Sequence, residues 1–286
     1  MNTKLIIILK PLVNKFPFLA SFYKYIRDIK ILNSEVKFRK SLGFYFNGST
    51  AMENGQFEIE ETRIFEAVLP HCDIFFNVGA NTGYYVCKAL KKNKKTIAFE
   101  PNQLNVNILL KNISANNFGK NFNLFPIALG EKSGVIPMYG ASTGASLIEG
   151  WADQKNSTLV PILVFDHFAN QFIKGKRCLI VIDIEGSELG FLKGAISLLA
   201  SDSENIFLIE ISVYEHQPSG IRINPFIVET FELMFHHQYK AYTADKKLKR
   251  VYLQEIKDIF ESGTDTLHTH NFIFLKSTLS LGEIGL

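Results

Sequence analysis

The chain is short of the features that mark several common protein classes. Its three cysteines, Cys72, Cys87 and Cys178, are odd in number and have no metal-ligand spacing. They argue against a disulfide framework and a zinc site, and read as reduced, buried thiols of a cytoplasmic protein. A formal charge of +3 over 286 residues gives no case for a nucleic-acid partner. No apolar stretch approaches the roughly 20 residues of a transmembrane helix. Leu5-Ile6-Ile7-Ile8-Leu9 is closed by Lys10-Pro11 and is shorter than the roughly 7–15 apolar residues of a signal-peptide core. Two phosphate signatures are also missing. No Gly-Lys-Ser/Thr follows the glycine turn at Gly79–Gly83, which excludes a P-loop. Asn81 stands where a dinucleotide fingerprint needs its second glycine, the one that lets backbone approach a pyrophosphate.

What is present is a hydrophobic share of 47%, enough for one large α/β domain with a sizeable core. Residues 1 to about 40 stand apart. They interleave Lys4, Lys10, Lys15, Lys24, Arg27 and Lys30 with Phe16, Phe18, Leu19, Phe22, Tyr23 and Ile26, and Pro11 and Pro17 break the pattern. Short amphipathic helices are expected there, so 1–55 is read as an N-terminal helical extension or cap. Packing on the main domain, or an oligomer contact such as that of a homodimer, is favoured. The sharper reading is a peripheral membrane contact.

From Glu58 onward, strands alternate with helices. Helices are predicted over Glu58–Leu69, Thr82–Leu90, Asn102–Ser114, Phe191–Leu199 and Glu229–His236. Strands are predicted over Asp73–Val78, Thr96–Phe99, Asn123–Ala128, Leu179–Asp183, Ile206–Ile211, Tyr239–Thr243 and Asn271–Leu275. A β-rich stretch with turn residues lies after Gly130. The central strands are continuous apolar runs, as strands buried on both faces of a parallel sheet should be. One open, mainly parallel α/β sheet follows.

The most informative stretch is Phe75-Phe76-Asn77-Val78-Gly79-Ala80-Asn81-Thr82-Gly83-Tyr84-Tyr85, followed by Ile97-Ala98-Phe99-Glu100-Pro101. A buried strand runs into a small-residue turn. A second strand ends about twenty residues later in a carboxylate, the layout of a nucleotide-type cofactor site. Gly79 and Gly83 are expected to let a ligand lie against bare peptide N–H groups, and Glu100 to accept two ribose hydroxyls. Without the pyrophosphate glycine, S-adenosylmethionine is the remaining common cofactor. Asn77 and Asn81 are candidate partners for its zwitterionic end.

The segments FNVGANTGYY, AFEPNQLNVNILLKNISANN, FPIALGEKSG, ASL, VIDIEGSELGFLKGA and FLIEI resemble the FkbM family of S-adenosylmethionine-dependent methyltransferases, from about Glu61 to Leu275. The resemblance implies a class I methyltransferase fold. This is a Rossmann-like, seven-stranded, mainly parallel sheet with the last strand antiparallel and helices on both faces, here over 56–286. It implies O-methylation, often of a sugar or natural-product hydroxyl, and therefore a small-molecule or glycan acceptor. The cofactor set carried over is Asn77, Gly79, Ala80, Asn81, Gly83, Tyr84, Glu100, Pro101 and Ala128. Asp183, Glu185 and Glu188 match the family's acidic motif beside the acceptor. Asn77 replaces the usual Asp of the turn, and Val181 stands where a Lys is frequent.

Methyl transfer to a hydroxyl needs a base or a metal that acidifies the hydroxyl. Asp183 and Glu185 are the first candidates and His216 the second. Asp183, Glu185 and Glu210 are the candidate ligands of a Mg²⁺ ion. Two other functions stay open: a nucleotide-sugar oxidoreductase on a Rossmann sheet, and a catalytically degenerate methyltransferase fold kept as a binding subunit.

Overall fold

The computed structural model describes residues 32–140, 144–151, 157–214, 217–218 and 220–286. Eight strands form the central sheet. They are β3 (Ile74–Val78), β4 (Lys95–Phe99), β5 (Phe122–Phe125), β9 (Cys178–Ile182), β10 (Ile206–Glu210), β11 (Tyr239–Thr243), β12 (Arg250–Val251) and β13 (Asn271–Lys276). Their order is β12-β11-β13-β10-β9-β3-β4-β5. β5, β4, β3, β9 and β10 are mutually parallel. β13 runs antiparallel to both its neighbours, β10 and β11. This is the class I methyltransferase architecture with its last strand reversed. The eighth strand is the two-residue edge β12, paired antiparallel to β11.

β3 and β9 are buried along their whole length, which is why neither shows hydrophobic alternation. Side chains still alternate between two cores. Ile74, Phe76 and Val78 face one cluster with Phe165, Phe191 and Phe231. Phe75 faces the other with Phe65, Tyr85 and Leu90. Helices therefore cover both faces.

A second sheet of three strands joins β6 (Ala128–Leu129), β8 (Ser157–Leu163) and β7 (Gly134–Tyr139) in that order. It corrects the predicted third strand over Asn123–Ala128. Pro126 has no N–H to donate to a ladder, β5 ends at Phe125, and Ala128–Leu129 pairs instead with Ile162–Leu163. The predicted helix over Phe191–Leu199 is likewise two pieces, Glu188–Lys193 and Ile196–Ala200. A Cβ at Gly194, between them, would collide with the Gly130 carbonyl oxygen, so the second sheet packs against bare backbone there.

The expected helical extension is corrected within its described part. β1 (Lys37–Arg39) and β2 (Phe44–Phe46) form a hairpin. Phe44, Tyr45 and Phe46 alternate buried, exposed, buried, the period of a strand, and Gly43 takes a positive φ at the turn. Leu42, Phe44, Phe46 and Met52 belong to the same buried cluster as β3. The basic, aromatic segment at residues 1–31 lies outside the described residues. No helix among the described residues is long and apolar enough to cross a membrane. The helix Leu253–Ser262 was not foreseen. Its Leu253, Ile256 and Ile259 recur every three residues and pack inward, a spacing that could have revealed it.

Candidate active site

A cleft opens at the C-terminal ends of β3, β4 and β9, where α/β sheets bind ligands. Of the residues singled out from sequence, Gly79, Asn81, Glu100, Pro101, Ala128, Asp183 and Glu185 line it. Asn77, Ala80, Gly83 and Tyr84 are buried in the layer behind. Alternation along β3 turns Asn77 to the face that holds Phe75. Gly83 faces Leu109. Tyr84 packs edge-on against Phe46 and Phe57. Ile127 and Leu129, which flank Ala128 in the segment expected near the adenine, also line it; Asn105, Met138, Leu147 and Ile184 add to the wall and were not foreseen. Met138 is an apolar contribution from β7, which carries no motif.

The glycine turn differs from its expected role. Gly79 and Ala80 donate their N–H groups to the Phe99 carbonyl at 3.0 and 2.9 Å, and Gly83 donates to Ala80 at 2.9 Å. Asn81 N–H donates to Glu100 Oε2 at 2.7 Å, and Thr82 N–H to Asn81 Oδ1 at 2.8 Å. The turn therefore presents no bare donors, and its helix starts only at Tyr84. An anion such as a pyrophosphate would find no partner there. The turn and Glu100 can offer oxygen acceptors, which suit hydroxyls and cations.

Gly79 itself has φ +84, and a Cβ on it would drive into the Asp183 carbonyl oxygen. Its glycine is required by the close approach of the backbone just past β9, the parallel neighbour of β3, not only by a ligand. Gly79→Ala is expected to destabilise the fold by at least about 2 kcal/mol from backbone strain alone, measured by urea unfolding.

Glu100 is the best-organised acceptor. It is 5% exposed. Its Oε1 accepts from Asn102 N–H at 2.8 Å and from Asn105 Nδ2 at 3.4 Å. Asn102 also caps the following helix, Gln103–Ala115, through its side chain. Burial lifts Glu100 to about 7, against the pull of the Asn102 and Asn81 hydrogen bonds.

Beside it, Glu58, Asp183 and Glu210 bring carboxylate oxygens within 4.8 Å of one another. Asp183 follows β9, where its N–H is held by Val78, and Glu210 ends β10. Glu58 precedes the helix Ile59–Val68 in a left-handed conformation, φ 42, and accepts from the Tyr85 hydroxyl at 2.7 Å. Of the expected metal set, Asp183 and Glu210 lie in this trio, whereas Glu185 does not. Glu185 has φ 52, and its carboxylate instead accepts from Trp151 Nε1 at 3.1 Å. Ser146 Oγ donates to the Glu185 carbonyl at 2.6 Å. Glu58 lies some 125 residues from the motif that announced the others, and no sequence pattern links them. Glu188 accepts from Gly186 N–H at 2.9 Å, in the loop before its own helix. His216 lies outside the described residues.

Three crowded carboxylates cannot all ionise cheaply. Burial, then the Asp183 charge, lifts Glu58 to about 8. Burial lifts Glu188 to about 7. Asp183 and Glu210 are driven up together, by burial first and by neighbouring carboxylates second. The folded chain therefore holds protons that the unfolded chain releases near 4.5. Raised carboxyl values add stability that is fully present below 4.5 and is lost as pH rises through about 8. Thermal unfolding of the ligand-free protein is expected to show Tm falling from pH 5 to pH 8, with a flatter upper limb in Glu58→Gln.

A doubly covered, mainly parallel sheet with its last strand reversed is the fold of the class I methyltransferases. Residues 77–241 match the methyltransferase FkbM domain, and the chain belongs to that family. Among solved structures it is similar to methyltransferase FkbM from Methylobacillus flagellatus KT, at 15% identity and a TM-score of 0.43, over 90% of this chain and 60% of that one. It therefore spans 60% of the length of that relative. It is also similar to the O-methyltransferase from Bacillus cereus in complex with SAH, at 13% identity and a TM-score of 0.43, over 76% and 80% of the two chains. A third is precorrin-6y C5,15-methyltransferase from Geobacter metallireducens GS-15, at 9% identity and a TM-score of 0.42, over 84% and 98%. No curated protein matches the chain.

Proposed function

We propose that the chain is an S-adenosylmethionine-dependent O-methyltransferase acting on a hydroxyl of a sugar or glycan precursor. The observation that carries this reading is the cleft's donor-poor, acceptor-rich chemistry. Glu100 presents a buried carboxylate, while every N–H of the Gly79–Gly83 turn is already used. That combination fits a ribose and a cationic ligand and disfavours a dinucleotide. The oxidoreductase alternative loses its main anchor. The Asn77 departure weighs little, because its side chain is buried behind the cleft.

When bound, S-adenosylmethionine supplies an electrophilic methyl group on a sulfonium. Glu100 would hold the ribose hydroxyls, with Asn81 and Pro101 beside it. Ala128 and Leu129 would pack against the adenine. Asp183 would accept the proton of the acceptor hydroxyl, and Glu185, fixed by Trp151, would orient that hydroxyl. Hydroxyl-rich sugars suit such a row of carboxylates, which is the support for a glycan acceptor.

Mg²⁺ is a second partner for the trio of Glu58, Asp183 and Glu210, favoured by their mutual distance within 4.8 Å. The test of the whole reading is transfer of labelled methyl from S-adenosylmethionine to a panel of glycosides. Label on a hydroxyl oxygen supports it. Label on nitrogen or carbon, or none with any hydroxylated acceptor while the cofactor binds, would remove O-methylation. Loss of transfer in EDTA, restored by Mg²⁺, would assign the metal. A cytoplasmic location is proposed from three free thiols, all buried.

A further inference from the structure

The strongest unassigned feature is a groove that adjoins the cofactor cleft and shares Leu129 and Leu147 with it. Ile136 and Ile162 of the second sheet form one wall. Leu189 and Phe226 stand across from them. Phe226 remains 41% exposed at the rim. The charged groups at the edge satisfy one another: Lys193 Nζ lies 2.6 Å from Glu229 and is also drawn by Glu131. Among the described lining residues, Ser187 carries the one hydroxyl. Ser187 is 9% exposed, and its hydroxyl has no hydrogen-bond partner among the described residues. Gly190 adds no side chain, and a Cβ there would meet nothing within 4 Å.

A neutral, apolar groove with one buried, unpaired hydroxyl does not suit a phosphate or a bare sugar. Resting on the methyl-transfer reading above, we propose that it holds an uncharged aliphatic segment of the methyl acceptor, whose linking oxygen meets Ser187. The acceptor class is then an alkyl- or lipid-linked glycoside rather than a free saccharide. The wall opposite the second sheet comes from the turn and helix after β9 and from Phe226 after β10, at the C-terminal edge of the sheet where an acceptor must lie to reach the cofactor.

The test compares n-octyl β-D-glucoside with methyl β-D-glucoside by calorimetry on the full chain saturated with S-adenosylhomocysteine. Burying the alkyl chain should favour the octyl compound by about tenfold or more. Gly190→Leu, whose side chain grows into open space, should reduce that preference to below about twofold while S-adenosylhomocysteine affinity is unchanged. Ser187→Ala should weaken the octyl compound by about fivefold, the loss of one hydrogen bond. Equal affinities in the wild type, or a preference that survives both variants, would overturn the proposal. If S-adenosylhomocysteine does not bind, the methyl-transfer reading fails on its own, and the same glucoside comparison on the unliganded chain still decides the groove.

Discussion

Glu100→Ala is expected to lower S-adenosylhomocysteine affinity by about 10²–10⁴-fold. The reasoning is additive. Two ribose hydroxyls donating to a charged acceptor contribute about 1.5–3 kcal/mol each, and each 1.4 kcal/mol is tenfold in affinity. The substitution also strands the Asn81 and Asn102 N–H groups that Glu100 now satisfies. The variant's thermal transition must therefore be recorded beside its affinity. Glu100→Gln keeps the size and one acceptor oxygen, and should lose less. The titration has a pH signature too. Burial lifts the carboxylate to about 7, and ribose hydroxyls that donate to it favour the ionised form. Affinity should fall as pH drops below about 7, with proton release on binding, measured in buffers of different ionisation enthalpy.

Asp183→Asn should cut methyl transfer by about 10²–10⁴-fold, the usual contribution of a general base, while S-adenosylhomocysteine affinity changes little. Asparagine keeps the size and the backbone N–H bond to Val78, but cannot take a proton. It also removes the like charge that helps to raise Glu58 and Glu210. The variant should therefore be at least as stable as the wild type at pH 8. A variant that is both inactive and unfolded would point to a structural role alone. Full activity would move the base to another group.

Much of this architecture was legible in the sequence because buried parallel strands are continuous apolar runs. β3 and β9 could be found from their runs, and Glu100 and Asp183 from standing at the end of one. The turn's chemistry was not legible. Glycines at positions 79 and 83 suggest a ligand pressed against bare amides, yet Gly79 is small because the Asp183 carbonyl, just past the neighbouring strand β9, lies against it. Whether an N–H is free depends on which carbonyl lies across the sheet, and here Phe99 takes two of them. Glu58 was invisible for a related reason. It reaches the acidic cluster from a helix start whose chain neighbours, Phe57 and Ile59, carry no motif. The split of the third strand at Pro126 was within reach, since proline cannot continue a ladder. The hairpin at 37–46 was hidden by aromatics that also suit a helix face.

The central claim is that the cleft between Gly79 and Glu100 holds S-adenosylmethionine. Calorimetric titration of the purified chain with S-adenosylhomocysteine, with NAD(H) as control, tests it most directly. The account predicts micromolar, one-to-one binding of S-adenosylhomocysteine that is lost in Glu100→Ala, and no binding of NAD(H). Binding of NAD(H) with none of S-adenosylhomocysteine, or S-adenosylhomocysteine binding indifferent to Glu100, would contradict it.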